Sequence, residues 1–218
     1  MIDRNKIEVW GHKTFRPFRI YWALYEYNLK FTSYKIGSRT GETQTEEYLK
    51  INPKGKIPSF KHNNITITES GAAVSYILNN FKKPDDFFIP QSTSDKAEAE
   101  EWCLFSLMEL DCLSIYILRK HEKPENLGLS NIYGEADNAI KAARIHFDKM
   151  IAACEKNVPE NSWLLSDSPC IADIIFTSCL IHCDKFNLKI KSDKVNRYFE
   201  RAKARKQFIK AFEDCFSA

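Results

Sequence analysis

No cysteine precedes Cys103 in this 218-residue chain, and none of its seven cysteines forms a Cys-x-x-Cys pair. The count is odd, so the seven read as small buried apolar residues of a reducing compartment rather than a disulfide framework. Cys179 and Cys183 share a helix face with His182 between them. Further ligands at metal-binding spacing are lacking, so core packing is expected there and no metal. The net charge of +3 is too small to argue for nucleic acid;. No apolar run is long enough to span a membrane, and Met1-Ile2-Asp3-Arg4-Asn5-Lys6 lacks the apolar centre of a signal peptide;. The expected address is the cytoplasm, with neither nucleic acid nor a membrane as partner. Internal repeats and low-complexity segments are absent. Against these absences, 44% hydrophobic and 28% charged residues are ordinary for a globular protein;. The length suffices for one large core or two small ones.

Along the chain, alternation over 6–11 predicts a strand. Phe18, Tyr21, Trp22, Leu24 and Tyr25 then predict an amphipathic helix that tolerates Pro17 in its first turn and ends at Asn28;. A second strand is expected over 31–36, a polar loop over 37–43 and a helical turn over 46–50. A hairpin over 58–61 and 65–68 turns at His62-Asn63-Asn64, and a helix follows over 70–81;. The order β-α-β-α-β-β-α predicts a small mixed sheet with helices on its faces over residues 1–82. Charged, proline-containing residues over 83–92 read as a linker. Residues 93–218 read as an all-helical domain. One apolar stripe carries Trp102, Phe105, Met108, Cys112 and Tyr116, and another carries Ala136, Ile140, Ala143, Phe147, Ile151 and Cys154. A helix over 170–183 is apolar all round and therefore buried, and a basic helix over 194–216 ends the chain;.

The most informative stretch is Asn52-Pro53-Lys54-Gly55-Lys56-Ile57-Pro58, with Glu69-Ser70 downstream. Pro58 stands before a short strand, where it removes a ladder donor and lowers the cost of a cis bond. Glu69 and Ser70 open a helix, so a carboxylate, a hydroxyl and free N–H groups gather at an anion-attracting end. One small ligand with carboxylates and an extended backbone would satisfy both pieces.

This constellation resembles the cytosolic glutathione transferase family, in a bacterial-type form with an altered N-terminal motif, over nearly the whole chain. Residues 52–58 are similar to its NPxGxVP segment, whose last proline is cis. Thr68-Glu69-Ser70-Gly71-Ala72-Ala73 is similar to its TESxAI segment, which holds the γ-glutamyl end of glutathione. Trp163-Leu164-Leu165 through Ile171-Ala172-Asp173-Ile174 is similar to its WLLGD…S/TxAD segment, and Tyr198, Arg201 and Arg205 to a closing Tyr/Arg pattern. The resemblance implies a thioredoxin-like N-terminal domain, an all-helical C-terminal domain, glutathione as co-substrate, a homodimer and a role in detoxification. It implies conjugation of the glutathione thiolate to a small apolar electrophile. A non-catalytic glutathione-binding or protein-interaction role, or glutathione-dependent peroxide reduction, stands as the alternative.

Carried over by residue, a cis Pro58 would leave the Ile57 N–H and C=O to pair with the ligand like an added strand. A trans proline at a strand start is the plainer reading. Ser70 would hold a carboxylate and Glu69 the ligand's amine, although ordinary capping also favours both residues there. Lys56, ahead of Lys54 and Arg39, would meet the glycyl carboxylate, where solvated side chains are the usual state. The catalytic position departs from the family pattern. Phe15 stands where a serine is expected, four before Arg19, and it cannot donate to a thiolate;. Thr14 keeps a hydroxyl one residue earlier and is the catalytic candidate, equally readable as a turn or cap hydroxyl; His12, Arg16 or helix N–H groups are the other candidates. Phe15, Trp102, Phe105 and Ser106 are candidates for an electrophile pocket, with core packing the plainer reading for Trp102. Asp173 is expected to be a buried structural cap, served by Cys170 or by Ser168 in its place.

Overall fold

The computed structural model describes residues 6–126, 128–183 and 186–217. They form two compact units. One runs up to Phe87 and resumes at Ala204, and the other is Phe88–Lys203.

The first unit carries four short strands, β1 (Ile7–Trp10), β2 (Thr32–Tyr34), β3 (Ser59–His62) and β4 (Ile65–Ile67), in the order β2-β1-β3-β4. Helix α1 (Phe15–Glu26) carries the chain back after β1, so β2 joins β1 in parallel, with Val9 opposite Ser33;. β3 meets β1 antiparallel, with Val9 opposite Phe60, and β4 completes a hairpin. Val9 and Phe60 are fully buried. The hairpin turns at Asn63, whose φ of 53° is left-handed and tolerated by asparagine;. α2 (Glu46–Ile51) and α3 (Ser70–Asn80) complete the thioredoxin-like arrangement. The expected loop over 37–43 runs into a 3-10 turn at Glu42–Gln44.

α1 is buried on nearly every side because α3 and α10 (Lys206–Phe216) both pack on it. Phe208 of α10 sits edge-on to Phe18 and Trp22, with ring centroids 5.0 and 5.1 Å away. The stretch read as one basic helix over 194–216 is two. α9 (Asp193–Lys203) ends the second unit, and α10 returns to the first. The apolar period is similar on both sides of the break, and periodicity shows that a face is buried without showing against which layer.

In the second unit, Ser92 caps α4 (Thr93–Phe105), its Oγ accepting the Asp95 N–H at 3.0 Å. A π-helical stretch, Ser106–Ile115, joins α4 to α5 (Tyr116–His121). This overturns the expected stripe. Trp102, Ser106, Leu110, Ser114 and Leu118 face the interior, whereas Met108 is 53% exposed and Cys112 is exposed. The Tyr116 N–H bonds to the Asp111 carbonyl five residues back. The wider turn keeps every fourth residue on one face. The second expected stripe lies on α7 (Asp137–Cys154), with Ala136 just before its start, because Gly134 at φ 82° separates it from α6 (Ser130–Tyr133);.

α8 (Ile171–Leu180) is buried from Ala172 to Leu180. At its start, Asp173 Oδ2 accepts the Cys170 N–H at 2.7 Å, while Oδ1 accepts the Leu164 N–H at 2.9 Å and the Tyr198 hydroxyl at 2.6 Å. The Cys170 side chain completes the reciprocal cap itself. Ser168 does not stand in for it: among the described residues its hydroxyl makes no hydrogen bond to the start of α8, and its N–H and carbonyl both pair with the Ser166 hydroxyl. Burial raises the Asp173 carboxyl above its ordinary range, against the pull of these donors;. Among the described residues, no helix is long and apolar enough to cross a membrane.

Candidate functional site

Three segments of the first unit converge. The end of β1 approaches the proline loop through Gly11, at φ 116°, where a Cβ would come within 2.7 Å of the Ile57 Cβ. Only glycine allows that approach without displacement. The Ile57–Pro58 bond is cis. Neither backbone group of Ile57 has a hydrogen-bond partner among the described residues. The loop before it is tied down firmly. Tyr48 Oη and Asn52 Nδ2 each donate to the Lys56 carbonyl at 2.7 Å, and Asn52 is fully buried. Tyr48 had no signal in the sequence beyond its place in a short helical turn.

The third segment is the start of α3. Glu69 holds extended backbone and Ser70 is the first helical residue. The Ser70 side chain is buried, while Glu69 is exposed and paired with Lys54 Nζ. Lys56 lies beside Ile57 with its own side chain exposed. Arg39, at φ 66°, belongs to the 37–43 loop.

Arg19 joins α1 to α3. It is 1% exposed and donates from Nη1 to Ser70 Oγ at 3.1 Å. Its guanidinium also lies 5.1 Å from the centroid of the Phe15 ring, and Arg16 lies 5.0 Å from the same ring. In the sequence Arg19 stands only as the arginine four residues after Phe15, and it is not among the site residues expected there. The available signal is a charge between Phe18 and Trp22, on the apolar stretch of α1.

Thr14 takes the cap position of α1, at φ −136° and ψ 156°, but its side chain makes no capping hydrogen bond. The cap reading of that hydroxyl therefore fails. His12 Nδ1 donates to the Ile36 carbonyl at 3.0 Å, so Nε2 carries no proton in the neutral ring;.

In the second unit, Trp102 is 7% exposed and packs edge-on against Phe105 and Phe176. Ser106 is fully buried and donates to the Trp102 carbonyl at 2.7 Å. Both belong to that unit's interior. Phe105 lines a shallow cavity of ≈ 560 Å³ whose walls mix Leu104 and Met108 with Glu100, Glu101 and Glu109. Ser106 is not among its lining residues.

All seven cysteines are free thiols. Burial pushes the Cys154 and Cys215 thiols up to about 12 and Cys170 well above its usual range. Iodoacetamide at neutral pH should label Cys112 first and Cys103 more slowly. The other five should react only after denaturation, as peptide mass spectrometry would show; early label on Cys170 or Cys215 would contradict this packing.

Residues 5–79, which contain the three converging segments, match the model of the glutathione S-transferase N-terminal domain. These residues belong to the glutathione S-transferase N-terminal domain family. Glutathione S-transferase-like protein gedE of Aspergillus terreus is 33% identical over 101 residues, which cover 45% of this chain and 44% of that protein. Elongation factor 1-gamma of Prunus avium is 30% identical over 176 residues, 78% of this chain and 39% of that protein. The chain thus spans less than half the length of the curated relatives it matches first. Among solved structures, glutathione transferase URE2P6 of Phanerochaete chrysosporium, in complex with oxidized glutathione, superposes with a TM-score of 0.80 at 20% identity, covering 98% of each chain. At that identity the likeness concerns the fold. Among the described residues, no group of three His, Cys, Asp or Glu is placed to hold a metal ion.

Proposed function

We propose that the chain is a cytoplasmic, homodimeric glutathione transferase that joins the glutathione thiolate to a small apolar electrophile. The observation that carries this reading is the pairing of an open backbone edge at Ile57 with the buried Ser70 hydroxyl at the start of α3. The cysteinyl backbone of glutathione pairs with the Ile57 N–H and C=O as an added strand. Its γ-glutamyl carboxylate takes the Ser70 hydroxyl and the first N–H groups of α3, and Glu69 takes the amine. Lys56 meets the glycyl carboxylate. The thiol then lies toward the start of α1, where the Thr14 hydroxyl donates to the thiolate and the thiol proton passes to solvent. The sulfur forms a bond to the electrophilic carbon as a leaving group departs or a π bond takes up the electrons.

The test is a glutathione titration of the purified protein, followed at the thiolate ultraviolet band across pH. The expected result is a saturable thiolate signal well below pH ~8.5, the range of a free thiol. In Thr14→Ala, turnover with a reactive electrophile should fall by about 100-fold, the usual cost of one donor to a developing anion. Phe15, which offers no donor, favours one second reading, a binding protein that keeps glutathione without activating it. Binding without the thiolate signal would select that reading. No binding would overturn both.

A further inference from the structure

We infer that Arg19 is a positioning residue that holds the Ser70 hydroxyl so that its proton is presented to the ligand's γ-glutamyl carboxylate; this rests on glutathione being the ligand. A guanidinium carries only donors, so Ser70 Oγ is the acceptor in the 3.1 Å bond from Arg19 Nη1;. The serine's own proton is therefore unspent. No acceptor for it exists among the described residues, and Ser70 is only 6% exposed. A buried hydroxyl proton without an acceptor is costly, and so are the first N–H groups of α3, which have no partner within the helix. Donors converge here and the acceptor is missing, and a carboxylate supplies it.

Arg19 does more than occupy space in this arrangement. Donation into Oγ polarises the hydroxyl and strengthens it as a donor in turn. The 1% exposure of Arg19 keeps its charge poorly screened beside the bound anion;. The Phe15 ring, 5.1 Å from the guanidinium, takes the place of water on one side of it;. Phe15 thus has a use that a catalytic serine at the same position would not serve: it keeps Arg19 aimed at Ser70.

The experiment is calorimetric titration of the full chain with glutathione and with γ-aminobutyryl-cysteinyl-glycine, which differs only in lacking the γ-glutamyl α-carboxylate. Wild type should prefer glutathione by about 10-fold or more, the worth of one charge-assisted hydrogen bond. Arg19→Met should lower that preference to within about 2-fold of the value in Ser70→Ala, while affinity for the analogue stays near wild type. Arg19→Lys, which keeps a charged donor, should restore part of the preference. Should Arg19→Met fail to fold by circular dichroism, the comparison of Arg19→Lys with Arg19→Gln, which keeps a donor without charge, carries the test. An unchanged preference in these variants, or an equal loss for both ligands, would overturn the inference. Failure of wild type to bind glutathione would instead strike the functional reading, and this inference with it.

Discussion

Ser70→Ala is expected to raise the glutathione dissociation constant by about 10- to 100-fold, as loss of a hydrogen bond to a charged group requires. Two losses combine. The ligand carboxylate loses a donor, and the buried Arg19 Nη1 loses the acceptor it holds at 3.1 Å. Stability should fall as well, because a hydrogen bond to a charged group contributes about 1.5–3 kcal/mol. The two effects separate by measurement. Titration calorimetry at a temperature where the variant is folded reads the binding loss, and urea denaturation without ligand reads the stability loss. An affinity within about twofold of wild type would remove Ser70 from the binding site, since that difference lies inside the scatter of such comparisons.

Arg205→Met is expected to cost about 3–5 kcal/mol of stability at neutral pH, the range for breaking a buried ion pair from one side. Arg205 reaches the Glu26 carboxylate through Nε and Nη2, both at 2.7 Å, and Nη2 also meets Asp86 Oδ2 at 2.8 Å. The Glu26 side chain is fully buried and also accepts from Trp22 Nε1 at 2.6 Å. This network ties α10 and the chain near residue 86 to the end of α1. Burial raises the Glu26 carboxyl above its usual range, while the bonds and charge of Arg205 pull it back. Without Arg205 that pull is gone and burial acts more strongly. A carboxyl raised in the folded state contributes stability below its unfolded value, about 4.3, and loses it as pH rises through the folded value. The deficit of Arg205→Met should therefore shrink as pH falls from 7 toward 5, read as the urea midpoint at each pH. A deficit independent of pH would mean that the loss comes from packing rather than from the stranded carboxylate. The double change Glu26→Met with Arg205→Met should recover part of the loss, as buried pairs replaced by apolar side chains do.

The two networks bear differently on what can be read from one sequence. The proline segment and Glu69-Ser70 stand out because their constraints are local: a ring that bars a ladder bond, and helix-end N–H groups that need acceptors. A four-residue offset separates Arg19 from Phe15, but nothing along the chain reveals that the start of a helix some fifty residues on will meet that guanidinium;. The same gap explains the misplaced stripe in the second unit. Periodicity assumes a constant turn, and the π stretch at Ser106–Ile115 changes it;.

By itself the sequence determined the element order of the first unit, the helical character of the second, and the proline segment with its downstream helix start. Each follows from period, turn chemistry or capping over a few consecutive residues. Only the tertiary structure decided that α10 leaves the helical unit, that Ser106 is interior, that Thr14 makes no capping bond, and that Arg19 sits against Ser70. Those outcomes depend on which distant surface covers a side chain. Burial of a charge or a hydroxyl is a property of that covering, and the covering is made of residues far away in the chain.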